Sequence, residues 1–141
     1  MNFNQLKTII DKLKKQGEMI FLPPVTSRKI KKFEKENKIK LPKGYKEWLM
    51  FSDGGELFLP AGIQLYGIEH KPKIYVENND ILSNEYTIIG ALSTGDPILC
   101  ENNKDYIAIY NQSMGIIEDD EVYLDFFSFL SELPEILGVG E

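Results

Sequence analysis

Four sets of residues in this sequence could do chemistry. His70 is the only histidine and Cys100 the only cysteine. Glu118-Asp119-Asp120-Glu121 is an uninterrupted acidic run, and Arg28, Lys29, Lys31, Lys32, Lys35, Lys38 and Lys40 gather cations in one short stretch. A zinc site needs several His or Cys ligands at defined spacing, which one of each cannot supply, so no metal is expected and His70 reads as a surface loop residue. Cys100 lies in the apolar run Pro97-Ile98-Leu99-Cys100, close to Asp96 and Glu101. A reactive thiolate needs an electropositive, accessible setting, so this cysteine reads as a buried thiol. The acidic run lacks the spacing of an EF-hand loop. No Ser-His-Asp, Cys-His or phosphate-loop pattern is present, and Gly90, Gly95 and Asp96 have no helix pattern after them to form a dinucleotide fingerprint. The expectation is a protein that is not an enzyme and uses no cofactor.

The charges are unevenly distributed. The 141 residues carry a formal net charge of −6. Residues 1–50 hold 13 Lys/Arg and 5 Asp/Glu, whereas residues 51–141 hold 3 and 17. Such asymmetry concerns partners, not fold. The basic stretch could neutralise phosphates, but Glu34 and Glu36 interrupt it, and a solvated helix face is the simpler account. Nucleic acid is therefore a weaker expectation than protein. The acids Glu118, Asp119, Asp120 and Glu121 are expected on a turn, with Asp96, Glu101 and Asp105 at other strand ends. Together these seven residues are the candidate partner-binding group. Their field would attract a basic protein and speed its association.

The elements that must position them read as helices first and strands afterwards. Leu6, Ile9, Ile10 and Leu13 form one apolar helical stripe, and Gly17 can end that helix. Thr26 or Ser27 can cap a second helix containing Ile30 and Phe33. Tyr45, Trp48 and Leu49 follow Pro42 at helical spacing, and Gly54 and Gly55 can terminate that third helix. Candidate strands are residues 63–68, 73–77, 86–92, 97–101, 105–111, 115–118 and 121–124, rich in β-branched and aromatic residues, with the segment 73–82 open between strand and helix. Tyr106, Ala108 and Tyr110 alternate with Ile107 and Ile109, so both faces of this strand are apolar enough to be covered, one by the helices. Asp125 can cap a last helix bearing Phe126, Phe129, Leu130 and Leu133, which Pro134 should end or kink. The expected architecture is α+β: an antiparallel-rich sheet of about five to six strands, N-terminal helices and one C-terminal helix, in a single domain over residues 1–141. The first residues lack the continuous apolar core of a signal peptide, and no apolar run approaches the ~18 residues of a membrane span. A cytoplasmic location without membrane contact is expected; the oligomeric state is open.

The order of these motifs resembles a known family. Ile30-x-x-Phe33-Glu34, then Leu41-Pro42 with Tyr45, Trp48 and Leu49, then Asp53-Gly54-Gly55, is similar to the N-terminal signature of the SMI1/KNR4 (SUKH) superfamily. Ile88-Ile89-Gly90 with Gly95-Asp96-Pro97-Ile98 resembles its central strand pair, and Ser128-Phe129-Leu130 its C-terminal element. The sequence departs from the pattern at Asp53, where Asn is usual, and at Arg28 and Lys29, where acids are common. Asp53 can still accept local backbone hydrogen bonds in a turn. The resemblance implies an α+β fold and protein-binding work: many bacterial members resemble immunity proteins that neutralise a toxin, often a nuclease, and some fungal relatives act in cell-wall and signalling regulation. It also implies that Leu41, Pro42, Tyr45, Trp48, Leu49, Asp53, Gly54 and Gly55 are scaffold and not contact surface.

Overall fold

The computed structural model describes residues 3–59, 62–77, 86–101 and 104–137. The N-terminal half contributes three helices. In α1 (Phe3–Lys14) the stripe Leu6, Ile10 and Leu13 is buried. Helix α2 (Ser27–Asn37) begins at Thr26, whose Oγ1 accepts a hydrogen bond from the Lys29 N–H at 3.2 Å, and ends at Lys38 in the left-handed conformation. Helix α3 (Lys43–Leu49) follows Pro42 and buries Tyr45, Trp48 and Leu49 completely.

Among the described residues the sheet has eight strands, more than the five to six expected: β1 (Glu18–Ile20), β2 (Gly55–Leu59), β3 (Ile63–Leu65), β4 (Tyr75–Glu77), β5 (Tyr86–Leu92), β6 (Pro97–Glu101), β7 (Ile107–Asn111) and β8 (Ile116–Tyr123). All neighbours pair antiparallel in the order β1-β2-β3-β5-β6-β7-β8. Strand β4 pairs with residues 86–88 of β5, and β3 with residues 90–92, so the two share one edge of β5. Strands β1 and β2 account for the larger count. The first has only three residues, and the second begins at a glycine assigned above to the end of a helix.

The glycine assignment is corrected by the backbone. Helix α3 ends at Met50 in the right-handed conformation. Gly54 (φ 95°) and Gly55 (φ 126°) come later and start β2. A Cβ on Gly54 would stand 2.6 Å from the Leu65 carbonyl oxygen, so close strand approach as well as positive φ requires glycine there.

The C-terminal helix is also corrected, to two short ones. Asp125 caps α4 (Phe126–Ser131), accepting from the Ser128 N–H at 2.8 Å. Pro134 then sits in the first turn of α5 (Leu133–Ile136), where its missing N–H is tolerated, and the helical run breaks at Glu132.

Helices α1, α3 and α4 pack together over one face of the sheet. Their aromatic centre joins Tyr45 to Phe126 edge-on at 4.9 Å and Trp48 to Phe126 at 6.0 Å. Leu57, Ile89, Ile98, Ile107 and Ile109 meet them from the sheet. The other face holds a separate buried cluster of Ile88, Leu99 and Ala108. The alternation along β7 thus sends Ile107 and Ile109 to the helices and Ala108 and Tyr110 to the opposite side.

Candidate interaction surface

The acidic run does not form a turn between two strands. It lies inside the single strand β8, where Ala108 faces Val122 but Tyr110 faces Ile117. A two-residue step on β7 is therefore matched by a five-residue step on β8, and the acids occupy the resulting bulge. Such a bulge lets an edge strand carry charge without a paired ladder. Asp119 lies within it; its side chain is outside the described set.

Carboxylate oxygens of Glu118, Asp120 and Glu121 lie within 4.8 Å of one another, close enough to share a hard cation. Asp96 belongs to the same group. Its Oδ1 accepts from the Gln112 N–H at 3.1 Å, which ties the β5–β6 turn to the β7–β8 turn. Desolvation, followed by repulsion from Glu118, Asp120 and Asp96, raises the Glu121 pKa above its ordinary value.

Glu101 and Asp105 lie at the other end of β6, about 13 Å away along a five-residue strand. Glu101 accepts from the Tyr106 hydroxyl at 2.9 Å. Burial, then this carboxylate, pushes the Tyr106 phenol up. Asp105 turns toward the helices and accepts from the Lys43 N–H at 3.2 Å, in the first turn of α3. The seven candidate acids thus divide between two ends of the sheet.

Four cations of the basic stretch, without Arg28, Lys29 and Lys32, form one wall of an open groove between α2 and α3, of about 1180 Å³. Lys31, Lys35, Lys38, Lys40, Lys43 and Lys46 line it, together with carboxylates that include Glu34 and Asp105. Glu34 Oε2 accepts both from Lys46 Nζ at 3.0 Å and from the Leu41 N–H at 2.7 Å, bracing the link between the two helices.

The signature residues expected as scaffold are all buried in the fold. Leu41, Tyr45, Trp48 and Leu49 are core, Pro42 precedes α3, and Trp48 Nε1 donates to the Gly54 carbonyl at 2.9 Å. The Tyr45 hydroxyl is fully enclosed and donates to the Tyr66 carbonyl. Asp53 makes long-range bonds instead of a local turn. Its Oδ1 accepts from the Ile68 N–H at 2.7 Å, and its Oδ2 from the Glu69 and His70 N–H groups, both at 2.9 Å. His70 Nδ1 reaches the same Oδ2 at 2.8 Å, so the histidine expected as a surface loop residue is half of a clamp. Cys100 is buried as expected, and desolvation pushes its thiol up to about 12.

Three helices and a bent helical C-terminus on one face of an antiparallel sheet, locked by Asp53 and the Tyr45–Trp48 core, define an α+β module whose expected scaffold residues are buried. Residues 24–132 match the SMI1 / KNR4 family (SUKH-1), and the chain belongs to that family. No curated protein and no solved structure matches it. No helix among the described residues is long and apolar enough to cross a membrane.

Proposed function

We propose that this chain is a non-enzymatic immunity protein, acting in the bacterial cytoplasm, that neutralises a basic toxin domain by binding it stoichiometrically. Family membership supports a protein-binding role. The observation that carries the reading is the division of charge along the chain. Residues 1–50, which supply α1, α2 and α3, hold 13 of the 16 cations, and residues 51–141, which supply nearly all the sheet, hold 17 of the 22 acids. A nuclease toxin must hold a polyanion and so presents a basic surface. An acidic protein can occupy that surface and gain association rate from electrostatic steering.

Co-expression with the product of the adjacent gene tests this. The expected result is a 1:1 complex at low micromolar concentration and rescue of cells that the neighbour alone would kill. No complex and no rescue would overturn it.

The lysine-lined groove favours a second reading, a polyanion such as nucleic acid bound between α2 and α3. A gel shift at low salt that disappears in Lys35→Ala and Lys43→Ala would support it, and no shift at low salt would remove it.

A further inference from the structure

Among the described residues no helix joins the cluster on the second face of the sheet, and that face is rich in aromatic side chains. Ile88, Leu99 and Ala108 are buried on it beneath Tyr66, Tyr86, Tyr106, Tyr110 and Ile117. Tyr75, opposite Ile88 in the β4–β5 ladder, stacks on Tyr66 with ring centroids 6.5 Å apart and is 48% exposed. Five of the seven tyrosines therefore cover this face; Tyr45 and Tyr123 belong to the helical core. Exposed Val122 stands opposite Ala108 and extends the apolar surface onto β8.

A sheet face meant only for water normally alternates to small polar and charged residues. Tyrosines instead offer large rigid area at low entropic cost, with a hydroxyl for polar contacts, and they are enriched at protein interfaces. Carboxylates rim this surface. Glu101 holds the Tyr106 hydroxyl at one end, and Asp96 with the β8 acids stands by the β7–β8 turn at the other. In residues 51–141 the only cations are Lys71, Lys73 and Lys104. Aromatic faces beside carboxylates suit arginine and lysine side chains, which stack on the rings and pair with the acids.

We infer that the tyrosine-covered face of the sheet is the docking surface for the protein partner, and that the partner presents arginine and lysine side chains to it. This rests on the reading that the chain works by binding a basic protein; it adds which face does so and with what chemistry. The helical layer, with its lysine groove, points away from the partner.

The probe is the purified product of the adjacent gene, titrated against wild-type chain and two sets of variants. Tyr75→Ala and Val122→Lys change exposed side chains on the proposed surface; Lys31→Ala and Lys35→Ala change the helical layer. Urea midpoints confirm that each variant folds. The expected result is a loss of affinity of about tenfold or more for each sheet-face variant and less than about twofold for each lysine variant. Weakening by the lysine variants alone would overturn the assignment of the face while leaving protein binding intact. Absence of any complex with the wild-type chain would overturn both.

Discussion

Asp53 and His70, seventeen residues apart, share a 2.8 Å hydrogen bond between Oδ2 and Nδ1 in which the carboxylate is fully enclosed and the imidazole reaches solvent. With the Ile68, Glu69 and His70 N–H groups also aimed at it, this carboxylate fastens the segment after α3 to the segment after β3. Both oxygens act only as acceptors. An asparagine here would turn an amide N–H₂ toward one of these donors. Asp53→Asn is expected to lower stability by about 1–3 kcal/mol, the cost of leaving one buried donor unmatched. Urea denaturation checks this. Gly67→Ala should act in the same direction, because its Cβ would stand 2.7 Å from Asp53 Oδ1.

The buried Tyr45 hydroxyl offers a cleaner deletion. Tyr45→Phe keeps the ring and its edge-on contact with Phe126 and removes only the hydroxyl, which donates to the Tyr66 carbonyl and lies 3.3 Å from the Ile89 carbonyl oxygen. A loss of about 1–2 kcal/mol is expected, with an unchanged denaturant slope.

Alkali should unfold the protein through groups that are buried neutral. Cys100 rises from 9.0 to about 12 by desolvation, and Tyr45 is also raised, first by burial and then by Asp53. For each acid the folded pKa lies above the unfolded one. Between the two values the unfolded chain has released a proton that the folded chain keeps, so stability falls as pH rises. Its decline should begin near pH 9, and Cys100→Ala should delay that onset relative to each variant's own neutral-pH value. Urea midpoints from pH 7 to 11 measure it.

The acidic bulge carries a stability cost. The folded pKa of Glu121 is raised, so its charged form is disfavoured above the unfolded value, and neutralising it should help. Glu121→Gln is expected to raise stability at pH 7 by a few tenths of a kcal/mol, with the gain vanishing at acid pH, where wild-type Glu121 is also neutral. Paired denaturation curves at the two pH values would reveal the difference.

Local sequence signals made much of the fold legible. Strands β5 and β6 have the boundaries that their apolar runs indicate, Thr26 and Asp125 cap the helices as their residue types suggest, and the C-terminal helical run is interrupted just before Pro134. What escaped depended on distant partners. Glu18-Met19-Ile20 is too short to read as a strand until β2 lies beside it. The acids of β8 look like a turn because a strand bulge and a turn share the same polar composition. The Asp53 clamp is invisible in a motif that suggests only a local turn, since its donors lie fifteen to seventeen residues away. For the candidate site, the alternation of Tyr106, Ala108 and Tyr110 already marked a second apolar face, but only the sheet order adds Tyr66, Tyr75 and Tyr86 to it.

Capture of a basic protein by an acid-rimmed face is tested most directly by the ionic-strength dependence of the association rate. Stopped-flow mixing with the product of the adjacent gene should give an association rate that falls by about tenfold or more between low salt and 0.5 M, with dissociation changing much less. An association rate that is indifferent to salt, or that rises with it, would contradict the account.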